Sequence, residues 1–436
     1  MSTTEKLNGY GPLAGVKVVE LCEWVAAPAC VRCLSEMGAT VIKVEPPYGD
    51  AQRTQGPGFG CEQTDKEDPT IDLNNTNKNF VSINLKNEEG MKFMKKLLAD
   101  ADIFVNNLRD KALNKMGLDY ETLHKEFPTL IWAQMRGYGE YGPEKDSPGF
   151  DAVCWAARGG VANVFREDGE SPAIAPQAFG DYNVGHMLAT GIVSALFNRT
   201  RTGKGEKVVT NLYAGAIWGG NIGICATQFG APYPKSRKHV PNPFNNTYRT
   251  YDDKWIYICM PQYDKYYPMM MGLFGHEDQI ENPDTNNLTS LKASGKNVEV
   301  IDWLEKAFAK KTFDEWMAIF KENEVPAQKC FRYTDVVKDE EAYDNDALRM
   351  VEYEAYGKRA LPMTPVRFGS YGDPPVVLSK PIGYHTAEFM HDYGYSDEEI
   401  AKIAEDGGVV VYDGPEIEDR IFVSKRQAAG EAPCNW

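Results

Sequence analysis

The stretch VKVVELCEWVAAPACVRCLSEMGATVIKVE, residues 16–45, decides the fold. VKVVEL (16–21) and TVIKVE (40–45) are short apolar runs rich in β-branched residues, which is typical of strands. Between them the sequence predicts a helix that begins near Pro28, a residue tolerated in a first turn, and ends at Gly38. Two strands joined by a helix make a βαβ unit, in which the strands lie parallel.

The same alternation continues as far as residue 135. Strands are predicted at 80–85, 102–108 and 130–135, and Asn87 is a suitable N-cap for the helix after the first of them. Helices between successive strands predict an α/β fold with a large, doubly wound, Rossmann-like domain and a mostly parallel sheet. We assign the N-terminal part of this domain to residues 1–227.

After residue 227 the sequence pattern no longer alternates between strands and helices. The segment 242–261, NPFNNTYRTYDDKWIYICMP, predicts a β-hairpin that turns at Asp252 and Asp253. Thr312 and Glu315 form a capping-box pattern at the start of a helix. These elements predict a smaller α+β domain at residues 228–330. Residues 331–436 then return to the large domain and supply closing helices and a tail.

Composition narrows the functional classes. With 436 residues, 42% of them hydrophobic, the chain has the size of an enzyme with two or three domains. The net charge of −16 argues against a nucleic-acid partner, although a local basic pocket could still bind an anion. The N-terminal MSTTEKLNGYGPLAG lacks a signal-peptide core, and no apolar run reaches the length of a membrane span. We therefore expect a cytoplasmic protein with no membrane partner.

Several cofactor and metal signatures are missing. CEWVAAPA follows the first strand where a dinucleotide-binding protein would have GxGxxG, and no P-loop, GxSxG or HExxH pattern occurs. The nine cysteines do not suggest a disulfide framework. Cys30 and Cys33 form a CxxC without a second ligand pair, so packing is favoured over zinc or redox chemistry. We expect no metal and no tightly bound cofactor.

Asp181 opens a long apolar stretch in QAFGDYNVGHMLATG, residues 177–191. Its position is typical of a helix N-cap, because an aspartate there accepts hydrogen bonds from free backbone amides. A carboxylate at a helix N-terminus could equally act on a substrate, and the two interpretations are compatible. His186 is one and a half helical turns further on and would not share a face with Asp181.

Several motifs follow one another from about residue 12 to about residue 411. Besides the opening βαβ stretch they are NKNFVSINLKNEEG (77–90), VNNLRDKALNKMGLDYETL (105–123), QMRGYGEYGPEKDSPGFDAV (134–153), GDYNVGHML (180–188), RTGKGEKV (201–208) and HTAEFMHDYGYSDEEI (385–400). Together they resemble the class III CoA-transferases, the family of formyl-CoA:oxalate and carnitine-related enzymes. ARGGV at 157–161 and the hairpin segment are most similar to the 2-hydroxy-acid branch of amino-acid fermentation, which includes cinnamoyl-CoA:phenyllactate and 2-hydroxyisocaproate CoA-transferases.

The resemblance implies an activity and a site. It implies an interlocked homodimer that moves CoA from an acyl-CoA to a carboxylic acid, with Asp181 as the catalytic nucleophile and Gly180 admitting the substrate. The resemblance also implies an acidic position near the active site at Asp151. Lys115 stands where the family has an arginine, and Pro46 replaces a common basic residue. The implied CoA-binding positions are Val25, Ala26, Ile83, Asn84, Leu85, Lys86, Asn107, Leu108, Arg109 and Lys115, with Asp151 grouped among them.

Other functions stay open at this point. Formyl-CoA transferases carry a glycine run in the lid, which is absent here, so the lid is expected near residues 241–246. Transfer between betaine-type acids is an alternative, because Trp24, Trp155 and Trp218 could cage a trimethylammonium group, bind a phenyl ring or fill the core. A racemase of 2-acyl-CoA and a CoA-binding protein without turnover are further alternatives. The tail from residue 411 is expected to be mobile or to pack on a partner subunit.

Overall fold

The computed structural model describes residues 10–64 and 66–431. The chain forms two compact units. The first unit takes residues up to Val161, Ala175–Asn221 and the chain from Asp339, whereas the second takes Ala162–Ile174 and Ile222–Lys338. The domain borders inferred from sequence, at 227 and 330, stay a prediction.

The strands are β1 Lys17–Leu21, β2 Thr40–Glu45, β3 Lys78–Ile83, β4 Ile103–Asn106, β5 Ile131–Arg136, β6 Lys207–Asn211, β7 Asn245–Arg249, β8 Trp255–Cys259, β9 Ala327–Lys329, β10 Leu348–Tyr353, β11 Gly357–Pro362 and β12 Val409–Val410.

The α-helices are α1 Ala26–Glu36, α2 Pro69–Asn75, α3 Glu88–Ala99, α4 Asp110–Met116, α5 Tyr120–Glu126, α6 Val161–Val164, α7 Phe179–Thr202, α8 Leu212–Gly219, α9 Asn221–Thr227, α10 Tyr263–Phe274, α11 Leu288–Ser294, α12 Asn297–Phe308, α13 Phe313–Glu322, α14 Tyr333–Val336, α15 Glu340–Asp344, α16 Thr386–Asp392, α17 Asp397–Glu405 and α18 Lys425–Ala428. A π-helical segment covers Ala152–Arg158, and 3-10 turns cover Ala51–Thr54, Pro57–Phe59 and Glu277–Gln279.

The first unit is built on a seven-stranded sheet in the order β12-β3-β2-β1-β4-β5-β6. Strands β1 to β6 pair in parallel, and β12 adds an antiparallel edge. The predicted mostly parallel sheet is confirmed. The order reverses direction at β1, with β2 on one side and β4 on the other, which makes the carboxyl ends of β1 and β4 a topological switch point where ligands bind in such folds.

Helices α1 and α7 pack closely on each other in this unit. A Cβ at Gly185 of α7 would lie 2.8 Å from the carbonyl oxygen of Ala26, so only glycine permits this approach. Helix α1 begins at Ala26, two residues before the predicted start, and Asn87 caps α3 as predicted by accepting from the amides of Glu89 and Gly90.

The tail contacts its own chain, and the expectation of a mobile or partner-bound segment stays a prediction. Phe422 bridges Val376 and contacts the apolar cluster that includes Val351 and Tyr353. This holds for the tail up to residue 431, the last residue described.

The second unit contains an antiparallel sheet in the order β7-β8-β9. In β8 the side chains alternate: Ile256 and Ile258 are buried in a core of helical aromatic and aliphatic residues, and Tyr257 is exposed. The predicted hairpin and the capping box of Thr312 and Glu315 are both confirmed.

Candidate active site

A cavity of about 370 Å³ lies at the switch point of the large sheet. Its walls come from the segments that follow β1, β4 and β5 and from the first turn of α7, all within the first unit. The volume falls within the range of small-molecule and cofactor sites. The lining residues are Glu23, Trp24, Val25, Ala26, Asn107, Leu108, Arg109, Met135, Arg136, Gly137, Tyr138, Lys145, Ser147, Pro148, Gly149, Phe150, Asp181 and Leu212.

Asp181 reaches this cavity from the first turn of α7. It is not the N-cap, contrary to the simplest sequence interpretation, because that position is Ala178 with φ 58°. Burial, followed by the negative charge of Asp151, raises the pKa of Asp181 to about 7. The carboxyl is therefore shared between its neutral and ionised forms near neutral pH.

The absence of a side chain at Gly180 is required by packing within the protein. A Cβ at this position would lie 2.3 Å from Asp151 Oδ1 and 2.3 Å from the Trp155 indole. Asp151 immediately precedes the π-helical segment and Trp155 lies in its middle, so Gly180 lets that segment pack against the first turn of α7. The predicted role of Gly180 in admitting a substrate stays a prediction.

Asp151 is buried and is not among the residues that line the cavity. Its carboxyl is buried and faces the backbone amides of Gly180 and Asp181. Burial raises the pKa of Asp151, against the smaller lowering effect of those two amides. Asp151 therefore contacts the backbone amide of Asp181, and its negative charge acts on the Asp181 carboxyl.

The predicted CoA-binding residues fall into two groups. Val25, Ala26, Asn107, Leu108 and Arg109 line the cavity together with Asp181. Their common place at the carboxyl ends of neighbouring parallel strands explains why residues far apart in sequence meet there.

The second group lies outside the cavity lining. Ile83 ends β3, and the next three residues, Asn84, Leu85 and Lys86, follow that strand. Strand β3 is separated from β1 by β2 and therefore by roughly 10 Å. The Asn84 amide donates to the carbonyl oxygen of Gly407 at 2.9 Å, and Lys115 is exposed in the last turn of α4. Their CoA contacts stay a prediction.

Sequence reasoning missed several lining residues, notably Glu23, Arg136, Lys145 and Phe150, whereas Trp24 was among the predicted aromatic candidates. Arg136 ends β5 and is ion-paired with Asp110 at 2.6 Å. Asn107 was implied by the family resemblance. Arg136 shares its place at the carboxyl end of a parallel strand, and that place is the signal that could have found Arg136. Lys145 and Phe150 come from a long irregular loop, and no periodic pattern signals their position.

The remaining aromatic and basic candidates are dispersed. Trp24 lines the cavity, Trp155 packs on Gly180, and Trp218 is 68% exposed and not among the lining residues. His186 contacts Cys33 Sγ through Nδ1 at 3.5 Å, and burial lowers its pKa. His186 is thus a packed residue, and it is not among those that line the cavity.

No group of three or more metal-ligating side chains occurs among the described residues. Cys30 and Cys33 are buried free thiols. Within residues 10–64 and 66–431, the helices include none long and apolar enough to cross a membrane.

Together the fold and cavity define an α/β protein with a carboxylate at the switch point of a parallel sheet. The sequence profile of CoA-transferase family III matches residues 13–386, and the chain belongs to this family. It is a CoA-transferase of class III, and such enzymes use CoA thioesters as substrates.

Curated relatives and solved structures agree with this assignment. The cinnamoyl-CoA:phenyllactate CoA-transferase of Clostridium sporogenes is 40% identical over 93% of this chain and 98% of its own length. The (R)-2-hydroxy-4-methylpentanoate CoA-transferase of Clostridioides difficile is 39% identical over 92% of this chain and its full length, 100%. A crystal structure of the Mycobacterium tuberculosis protein Rv3272 superposes with a TM-score of 0.74 at 28% identity, covering 88% of this chain and 100% of that one.

Proposed function

We propose that this protein transfers CoA from an acyl-CoA to an aromatic or branched 2-hydroxy acid, with Asp181 as the nucleophile. The observation that carries the mechanism is the position of Asp181, half-buried in the cavity beside Val25 and Ala26. The substrate class is supported by the two relatives whose names specify phenyllactate and 2-hydroxy-4-methylpentanoate.

The reaction conserves the thioester by exchanging acyl bonds. The Asp181 carboxylate attacks the thioester carbonyl, expelling CoA thiolate and leaving a mixed anhydride. The thiolate then attacks the Asp181 carbonyl of that anhydride, which releases the first acid and leaves an aspartyl-CoA thioester. The carboxylate of the acceptor acid attacks this thioester, and the expelled thiolate attacks the acceptor carbonyl to form the new acyl-CoA and free Asp181.

The surroundings suit these steps. The first turn of α7 places the positive end of a helix dipole near the oxyanions that form at Asp181. Arg109 and Lys145 are exposed cations on the cavity wall, where they could meet CoA phosphates. The partly protonated state of Asp181 limits the nucleophile at acidic pH.

We also propose that the enzyme works as a homodimer, in which the resemblance implies interlocked subunits. Large apolar side chains remain exposed on the π-helical segment, α7 and α8 of the first unit, and a second copy would cover them. These side chains are Val153, Phe179, Tyr182, Val193, Phe197, Ile217 and Trp218.

Intact-mass spectrometry tests the mechanism. The protein is mixed separately with cinnamoyl-CoA, crotonobetainyl-CoA and branched acyl-CoAs, then trapped with hydroxylamine and mapped by peptide. Before trapping, we expect a CoA-sized mass increase from an aromatic or branched donor. Hydroxylamine then displaces CoA and leaves a hydroxamate, which peptide mapping should locate at Asp181. Both signals should be lost in Asp181→Asn and persist in Glu23→Gln, which removes the other carboxylate of the cavity wall. Loading by crotonobetainyl-CoA alone would instead favour a betaine-type enzyme. Absence of loading by every donor, with CoA still bound, would leave the racemase or binding-protein alternatives.

A further inference from the structure

The turn after β1 forms one wall of the cavity and has an unusual backbone. Trp24 has φ 68°, a left-handed conformation that a bulky residue rarely adopts. Such a conformation persists only where the surrounding structure holds it, and it is often associated with a functional site. The contacts of this turn show what holds it.

Buried groups on β2 and after it hold one side of the turn. Lys43 Nζ, with a fully buried side chain, donates to the Cys22 carbonyl at 3.0 Å and to Asp50 Oδ2 at 2.9 Å. Asp50 Oδ1 accepts from the Trp24 amide at 3.0 Å. Because Asp50 is itself 1% exposed and paired with Lys43, its acceptor oxygen is fixed in place.

Asn107, after β4, holds the other side. Its side-chain amide donates to the Glu23 carbonyl at 2.7 Å, and its Oδ1 accepts from the Glu23 amide at 3.2 Å. The Asn107 side chain therefore already makes two structural hydrogen bonds, and a predicted contact with CoA would use the same side chain. Held from both sides, Trp24 cannot relax to an ordinary backbone conformation without breaking these hydrogen bonds.

The result of this restraint is an aromatic surface on the cavity wall. The Trp24 indole meets the Phe150 ring edge to face, with centroids 5.4 Å apart and planes at 84°. Phe150 is 54% exposed, so its ring is open to an incoming group. Both side chains line the same cavity as Asp181.

We propose that Trp24, with Phe150, is a specificity-determining residue that receives the acyl side chain of the thioester and favours bulky or aromatic groups over short ones. The proposal rests on the proposed function of the cavity. Burying an acyl side chain against two aromatic rings removes apolar area from water in proportion to the size of the group, whereas a short acyl chain gains little. The CoA portion is common to all donors and does not contribute to this discrimination.

The test compares kcat/KM for cinnamoyl-CoA, a branched acyl-CoA and acetyl-CoA, together with Asp181 loading by intact mass. Trp24→Gly removes the indole at a backbone conformation that glycine adopts freely, so it avoids new strain. Trp24→Phe retains an aromatic ring, and Phe150→Ala removes the other half of the wall. Tyr251→Ala, at a tyrosine that is 75% exposed in the second unit, is the control for loss of a surface aromatic residue.

We expect Trp24→Gly and Phe150→Ala each to lower kcat/KM for cinnamoyl-CoA by about 10-fold or more, with a change of less than about threefold for acetyl-CoA. Trp24→Phe should recover much of the discrimination, and Tyr251→Ala should have none of these effects. An equal loss for all donors would overturn the assignment of Trp24, because the ring would then serve the shared CoA portion. Wild-type protein that no donor loads at Asp181 would overturn the proposed function and this inference with it.

Discussion

Asp181 carries its charge in surroundings that disfavour it. Burial and the nearby Asp151 charge raise its pKa to about 7, so the ionised nucleophile accumulates only as pH rises through that value. We predict that kcat/KM increases from pH 5.5 to 8 with an apparent pKa near 7. Asp151→Asn removes the neighbouring negative charge but keeps an oxygen acceptor, so it should shift this rise to lower pH. Steady-state rates over the pH range check both expectations, and an unshifted profile would contradict the role of Asp151.

The same charge has a consequence for stability. The pKa of Asp181 is higher in the folded protein than the ordinary value of 3.8, so folding favours the protonated form. The resulting destabilisation is absent below about pH 4, grows as pH rises and is complete above about 7. We predict that Asp181→Asn raises Tm at pH 8 and that the gain shrinks on acidification. Thermal melts at pH 5, 6.5 and 8 measure it, and a gain independent of pH would point to packing instead.

At the scale of elements, three strands are joined by buried charges. Glu20 on β1 pairs with Lys43 on β2 at 3.2 Å and with Lys78 on β3 at 2.7 Å, and all three side chains are fully buried. Burial lowers the pKa of Lys78 to about 8, which shows that Glu20 only partly compensates its charge. Removing one partner of a buried pair leaves an uncompensated charge.

We predict that Glu20→Gln lowers the free energy of unfolding by roughly 3 to 5 kcal/mol, because Lys78 loses its carboxylate. Lys78→Met should cost less, since Glu20 then keeps Lys43 and Lys43 keeps Asp50. Urea titrations of both variants at pH 7 give the comparison. A smaller loss for Glu20→Gln than for Lys78→Met would mean that Glu20 is not the centre of this network.

The sequence predicts individual strands and helices better than it predicts the tertiary contacts between them. Hydrophobic periodicity located β1 to β5 and α3, and turn chemistry located the hairpin of β7 and β8, because these features depend on neighbours in the chain. The hydrogen bond between Asn107 and the Glu23 backbone forms because β1 and β4 are neighbours in the sheet. Local sequence patterns do not show which strands are neighbours. The aspartate at residue 181 was visible, yet its displacement from the N-cap and its raised pKa depend on Ala178 and on the buried Asp151.

At the scale of the whole molecule, the exposed apolar side chains of α7 and α8 need a partner. A stable interface buries about 800 Å² on each side, and large apolar and aromatic groups carry most of its energy. Phe197 on α7 is 67% exposed and Trp218 on α8 is 68% exposed, although both belong to helices that pack on the first unit's own sheet and helices. A second copy of the chain is the occupant that we propose.

We predict that sedimentation equilibrium of the wild-type protein gives twice the chain mass of 48.8 kDa at micromolar concentration. Phe197→Asp places a charge in the proposed interface and should weaken association by at least about 10-fold, because an unpaired buried charge is costly. Tyr48→Asp, at a tyrosine that is 78% exposed on a loop of the same unit, provides the matched control and should leave the mass unchanged. A measured mass of 48.8 kDa for the wild-type protein would refute the dimer, because the exposed apolar side chains of α7 and α8 would then remain in contact with solvent.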